Sequence, residues 1–221
     1  MRLYRHALIT LLLASLLFAL PGIAKLNISD EVLARIESQY NKFARKRVEG
    51  WRELVENPAN HDLSEKEKLE LVNQFFNANV QFIDDIALWQ KKDYWATPLE
   101  MLSIGAGDCE DYSIAKYFTL KELGVDEDKL RITYVKAIEI DQAHMVLTYF
   151  ETKRSVPLVL DNLITDIKPA SRRNDLVPVY SFNGTGLWLA KSRGEGQRVG
   201  EASKLSLWND LERRMKEQAL Q

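Results

Sequence analysis

The sequence predicts an α+β fold in which N-terminal helices pack on an antiparallel sheet. Two patterns carry this reading. Apolar residues recur at helical spacing between residues 29 and 123, and alternating, aromatic or β-branched runs fill much of 131–190. Helices first and strands afterwards is the chain order of an α+β domain.

Residues 1–24 stand apart from that fold. Arg2, Arg5 and His6 make a basic start, and Ala7 to Leu20 is apolar except for Thr10 and Ser15. Gly22-Ile23-Ala24 then puts small residues at the two positions that a signal peptidase reads. The apolar run falls short of the roughly 20 residues of a bilayer span. The expectation is a cleaved signal peptide at 1–24, with an uncleaved anchor as the alternative, and no other stretch approaches span length. Removing 24 of the 221 residues leaves 197, enough for one domain at 25–221. The removed segment holds two basic and no acidic side chains, so the remainder carries 28 Lys and Arg against 32 Asp and Glu. That balance, with no basic stripe interleaved with aromatics, argues against a nucleic-acid partner.

Within the domain, Ser29 caps a helix whose apolar positions are Val32, Leu33, Ile36, Tyr40 and Phe43. Val48, Trp51, Leu54 and Val55 continue the helical pattern, with Gly50 as a weak point. Ser64 and Glu67 form a capping box ahead of Leu69, Val72, Phe76 and Val80. Thr97-Pro98-Leu99-Glu100 is a second start signal, with Thr at the N-cap, Pro at N1 and Glu at N3. That helix stops near Gly105. Another begins at Cys109 and ends at Gly124. Strands follow at 131–140, 143–150, 156–161, 176–182 and 186–190, with Asn183-Gly184 as a turn. Residues 191–204 read as a Gly-rich charged loop. Leu205, Trp208, Leu211 and Met215 read as a closing helix, and the five tryptophans as core or edge of core.

Cys109 is the sole cysteine. In an exported chain an unpaired thiol is buried and inert, bridged to another chain, or reactive. Its place after Gly107, at the first turn of a helix, favours an anion and hence a thiolate. The glycine would let a substrate backbone come close. A nucleophilic thiol needs a base and a group to orient that base. His6 leaves with the signal peptide and His61 sits in a polar loop, which leaves His144 inside a strand. If residues 151–154 close a hairpin, paired residue numbers sum to 305. Tyr149 then meets Val156, Leu147 meets Leu158 and Met145 meets Leu160 on one apolar face, while His144 lies opposite Asp161 on the other.

Gly-Asp-Cys-Glu-Asp-Tyr at 107–112, Ala-His-Met-Val-Leu at 143–147 and Leu-Asp-Asn at 160–162 resemble the bacterial transglutaminase-like cysteine proteinases, as does Asp-Tyr-Trp-Ala-Thr-Pro at 93–98. The resemblance spans most of 30–190. It implies a papain/transglutaminase-like core with Cys109 as nucleophile, His144 as base and Asp161 as orienting acid. It further implies a periplasmic, calcium-dependent endopeptidase that cuts a large surface adhesin near its N-terminus at paired alanines. Inhibition would come from an inner-membrane receptor of cyclic di-GMP.

Competing readings are a transglutaminase-type acyl transferase with the same triad, a non-catalytic binding module, and a metal-binding structural protein. Acids at 108, 110 and 111 surround the cysteine. A helix-end dipole of about half a charge cannot offset three carboxylates. They must point into water, pair with cations, or coordinate a hard metal such as calcium. The expected ligands are Asp108, Glu110 and Asp111, with Asp141 as a weaker candidate.

Overall fold

The computed structural model describes residues 28–189 and 196–219, so the expected signal peptide lies outside the described residues. Among the described residues no helix is long and apolar enough to cross a membrane.

The helical half opens with α1 (Asp30–Gln39), capped as expected by Ser29, whose hydroxyl accepts from the Val32 N–H at 3.3 Å. The helix does not run on to Phe43. Asn41 breaks it and caps α2 (Lys42–Glu56), accepting from the N–H groups of Phe43 and Ala44 at 2.9 and 3.0 Å. An Asn side chain that can take backbone protons favours a cap over a helix interior. Tyr40 and Phe43 are exposed and offer no core face to override it. Gly50 leaves α2 intact. After α3 (Pro58–His61) come α4 (Glu65–Asn79), β1 (Gln81–Phe82) and α5 (Asp85–Leu88). Next are α6 (Pro98–Ile104), β2 (Ala106–Gly107) and α7 (Cys109–Glu122). Both expected capping boxes form, at Ser64/Glu67 and Thr97/Glu100, and Gly105 ends α6 in the left-handed region at φ 81°. β1 and β2 pair in parallel, which two-residue strands cannot signal by periodicity.

The sheet is built from β3 (Leu130–Ala137), β4 (Gln142–Tyr149), β5 (Leu158–Leu160), β6 (Lys168–Pro169), β7 (Leu176–Asn183), β8 (Gly186–Leu189) and β9 (Gln197–Gly200), and α8 (Ser206–Ala219) follows it. The order is β6-β5-β4-β3-β7-β8-β9, antiparallel throughout. Residues 197–200, expected in a loop, pair as an edge strand instead. β3 ends before Ile138 and Ile140, which sit half-exposed in the turn to β4.

α7 is the centre of the molecule. It packs on β3, β4, α4 and α6, and Ile114, Ala115, Tyr117 and Leu120 are fully buried. Trp51 donates from Nε1 to Thr119 Oγ1 at 2.8 Å, while Trp208 of α8 stacks on Phe118 with ring centroids 5.6 Å apart. Four tryptophans are buried and Trp89 packs against the core edge.

The β4–β5 register differs from expectation by two residues. Tyr149 faces Leu158 and Leu147 faces Leu160, so paired numbers sum to 307. Two local features lengthen the connection. Phe150 gives its N–H to the Lys129 carbonyl at 2.8 Å, continuing the β3 side, and Ser155 turns back onto the Thr152 carbonyl. Pro157 has no N–H to give to the ladder. A slip of two preserves facing. Met145, Leu147, Leu158 and Leu160 still point into the main core, while Val146 and Val159 cluster on the other face. His144 and Asp161 therefore share a face as diagonal neighbours, not as a directly opposed pair.

Candidate active site

The first turn of α7 begins at Cys109, which is part-buried, with Asp108 at the N-cap. Asp111 folds back under this turn. It accepts from the Asp108 N–H at 3.3 Å and from the Ala96 N–H at 2.7 Å, and so pins the segment before α6 to the start of α7. This explains Gly107. A Cβ there would lie 2.7 Å from Asp111 Oδ2, so the missing side chain makes room for Asp111 and not for a substrate backbone.

On the neighbouring strand, buried His144 holds Asp161 through Nε2, 2.8 Å from Oδ1. Asp161 sits just past β5 and its carboxylate is saturated. Oδ1 also accepts from the N–H groups of Asn162 and Leu163 at 2.7 and 3.1 Å, and Oδ2 accepts from Arg173 Nη2 at 2.7 Å. Burial pushes this carboxyl up. The bond and charge of His144, the Arg173 bond and the Leu163 N–H outweigh it and hold the group down at about 2. Arg173 is itself fixed by Asp175, through Nε and Nη2. With an ionised acid on Nε2, the neutral imidazole carries its proton there and leaves Nδ1 as the acceptor.

Cys109 and His144 line one open cleft of about 580 Å³, together with Asp108, Glu110, Met145, Tyr134 and Tyr180. His61 is exposed elsewhere, bonded to the Val55 carbonyl.

The electrostatics at the cysteine run against a simple helix-dipole thiolate. The thiol donates to Glu110 Oε2 at 3.0 Å. Burial pushes the Cys109 pKa up, and the charge and hydrogen bond of Glu110 and the charge of Asp108 add to that. A contact with the Met145 N–H opposes it. The acids share the problem. Burial and the charges of Glu110, Asp111 and Asp85 raise Asp108 to about 10. Burial raises Asp85 to about 6, with Glu110 and Asp93 adding and the Tyr94 N–H opposing.

A family model for bacterial transglutaminase-like cysteine proteinases matches residues 32–189. The chain belongs to the bacterial transglutaminase-like cysteine proteinases. Its fold is similar to that of Legionella pneumophila LapG. The calcium-bound form of LapG is 43% identical to this chain, with a TM-score of 0.70 over 84% of this chain and 98% of that one. The EGTA-treated form is 42% identical, with a TM-score of 0.73 over 84% and 96%. Among curated proteins none matches.

The residues of this family member fit a hard cation. Asp85, Asp93 and Glu110 bring carboxylate oxygens within 4.8 Å of one another, as do Asp85, Asp108 and Asp111. Asp108 Oδ1 and Asp85 Oδ1 are buried with no hydrogen-bond partner, a costly state unless a cation takes them. Cys109 joins Asp108 and Glu110 in a third such group, but sulfur is a poor donor to calcium, which takes oxygen. Asp111 belongs to the cluster with both oxygens already accepting N–H bonds. Asp141 does not join it: exposed in the β3–β4 turn at φ 51°, it pairs with Lys136 at 2.6 Å. Sequence reasoning missed Asp85 and Asp93, which lie 24 and 16 residues before Cys109 with no spacing that links them to it. Asp93 does open the 93–98 motif. Arg173 was missed too, since nothing in its local pattern marks a buried arginine.

Two outcomes follow from this geometry. Arg173→Met leaves the buried Asp161 carboxylate without its guanidinium, and breaking a buried pair costs about 3–5 kcal/mol. Because Asp161 is depressed in the fold, that cost is present above about pH 4 and shrinks as pH falls toward 2. Urea unfolding at pH 7 and pH 3 measures it. Asp85, Asp93, Asp108 and Asp111 have the opposite sign, each being raised chiefly by burial. Their raised values mean that the metal-free fold retains protons which the unfolded chain loses above about pH 4. In chelator, the melting temperature should therefore fall between pH 5 and pH 8. Calcium, which competes with those protons, should raise it more at pH 8. An equal calcium shift at both pH values would contradict this assignment.

Proposed function

We propose that this cysteine proteinase is a calcium-dependent periplasmic endopeptidase that works through Cys109, His144 and Asp161. Its substrate would be a large cell-surface adhesin, cut near the N-terminus at paired alanines to release it and disperse a biofilm. An inner-membrane receptor of cyclic di-GMP would hold the enzyme inactive. The observation that carries the catalytic part is the His144–Asp161 hydrogen bond at 2.8 Å, on a histidine that shares its cleft with the sole cysteine. Adhesin, receptor and periplasm rest on the likeness to the family and on the secretory pattern of residues 1–24.

In this reading His144 Nδ1 takes the thiol proton, and the sulfur attacks the carbonyl carbon of the scissile bond, forming C–S as the carbonyl electrons move to oxygen. The Cys109 N–H, in a first helical turn that has no intrahelical acceptor for it, faces the oxygen where charge collects. Collapse breaks the C–N bond and His144 returns the proton to the leaving amine. Water, deprotonated by the same nitrogen, then cleaves the thioester and restores the thiol. Asp161 keeps the ring in the required tautomer and stabilises its cation. Calcium on Asp85, Asp93, Asp108 and Glu110 would supply the positive charge that the thiolate needs and the acids deny it.

Cys109→Ser should abolish cleavage of an N-terminal adhesin fragment with the melting temperature nearly unchanged. Asp161→Asn should cut turnover by about three to four orders of magnitude, as loss of an orienting acid does elsewhere. Retained cleavage in either variant overturns the triad. Chelation should stop cleavage and calcium should restore it, whereas full activity in excess chelator removes the metal from the proposal. Adding a primary amine separates the two acyl-transfer outcomes, since an amide product in place of a free carboxylate would make the protein a transglutaminase.

A further inference from the structure

α7 carries a lysine two turns beyond Cys109, and the reaction just described gives it no part. Lys116 is fully buried. Its Nζ donates to Asn77 Oδ1 at 2.9 Å and to the main-chain carbonyl of Asp161 at 3.0 Å. Asn77, on α4, donates from Nδ2 to that same carbonyl at 2.9 Å. The remaining side of the ammonium lies over the Tyr112 ring, 5.5 Å from its centroid. One carbonyl takes two donors, and the amide of one donor accepts from the other; Asn77 Nδ2 also reaches Asn73 Oδ1 at 3.4 Å.

Lys116 does not serve as the counter-ion of the Asp161 carboxylate. That group is already paired with His144 and Arg173. What the ammonium grips is the backbone of the acid. A buried ammonium costs several kcal/mol of desolvation, and burial pulls this lysine down to about 7, with the Asp161 charge opposing. Filling the space alone needs no charge, because an unbranched apolar side chain of similar length does so without that cost. The place of Lys116 gives the charge a use. Residues seven apart on a helix lie on the same side, about 10.5 Å apart along the axis. One rigid rod therefore carries the sulfur at its start and, two turns on, the group that holds the acid.

We propose that Lys116 is a positioning residue: it ties the main chain of Asp161 to the helix that bears Cys109, and so sets where His144 stands relative to the sulfur. This rests on the reading of Cys109, His144 and Asp161 as one catalytic unit. The chain from lysine to sulfur is Lys116, the Asp161 carbonyl, the Asp161 carboxylate and His144, with Asn77 bracing the first link and Arg173 the third.

Lys116→Met in the full-length, calcium-saturated protein tests it. A displacement of about 1 Å can cost a hundredfold in rate. The expected result is a fall in kcat of about 10- to 100-fold on an N-terminal adhesin fragment, with KM within about twofold. The melting temperature should be equal to wild type or higher, since removing a buried charge relieves its desolvation. Alkylation of Cys109 by iodoacetamide, which needs no adhesin, should slow as well. A lysine of purely structural use gives the reverse: a lower melting temperature with kcat and alkylation unchanged, which overturns the proposal. Should Lys116→Met fail to fold, Asn77→Leu decides. It leaves the lysine in place and removes the second donor together with the Oδ1 that accepts from Nζ, and it should lower kcat and alkylation in the same direction by a smaller factor. Wild-type rates in folded Asn77→Leu would then overturn the proposal. Failure of the triad itself shows separately, as wild-type alkylation and kcat in His144→Ala or Asp161→Asn.

Discussion

The site depends on burying one carboxylate. The side chain of Asp161 has no solvent exposure, and an unpaired ion in that position would cost more than most single interactions return. The surrounding chain is arranged to prevent that state. Two N–H groups of the loop that follows, a histidine and an arginine all converge on the two oxygens. Arg173 in turn needs Asp175, whose carbonyl takes the Ile138 N–H at 2.8 Å where β3 leaves the sheet. The loop between β5 and β7, without long regular structure of its own, is thus tied to β4 through His144 and to the end of β3 through the Asp175 carbonyl. His144 acquires its tautomer from the same arrangement, so the imidazole is oriented by the fold alone.

The other end of the site follows the opposite logic. Around Asp161 cations and N–H donors satisfy an anion. Around Cys109 the carboxylates of Asp85, Asp93, Asp108 and Glu110 crowd together, and Asp108 and Asp85 each keep a buried oxygen without a partner. Like charges this close cannot all ionise in a low-dielectric pocket. The thiol is drawn into the conflict, because it donates to Glu110. A protein that folded only for its own stability would have little use for such a cluster. A site that takes a divalent cation has to contain one.

Much of this was legible in the sequence. Capping boxes, the glycine stops at 105 and 124, and the helix-then-strand order use local chemistry, and local chemistry survives folding. The facing of His144 and Asp161 was legible because strand alternation has period two, and the same period hid the slip of two residues. Tyr149 still lies on the core face whether it meets Val156 or Leu158. The break at Asn41 was missed because apolar spacing continues across it, while the cap depends on a side chain that spacing ignores. Asp85, Asp93, Arg173, Asn77 and Lys116 were out of reach for a different reason. Each reaches the site through tertiary contact across many residues, and Lys116 is a charged residue on a helix that is buried nearly all round. A lysine's charge would place it in solvent. Even Gly107 was read for the wrong neighbour, since the chain crowds it with Asp111 and not with a ligand.

The two halves of the site are joined by α7, and by β4, whose Met145 N–H touches Cys109 beside His144. The first turn of α7 belongs to the acidic cluster through Asp108, Glu110 and Asp111, while Lys116 holds the main chain of Asp161. These attachments differ in kind. The Lys116 end is satisfied by the protein's own groups, so it needs nothing from outside to hold its geometry. The Cys109 end keeps buried oxygens of Asp85 and Asp108 without a hydrogen-bond partner among the described residues. Under the proposed calcium dependence, a change of metal would act on the sulfur's charge and on the first turn of the helix, and would leave the His144–Asp161 pair standing. The helix then has two duties. On the proposed reading, its length would keep His144 in register with the sulfur, and its start would make the reactivity of that sulfur depend on an ion.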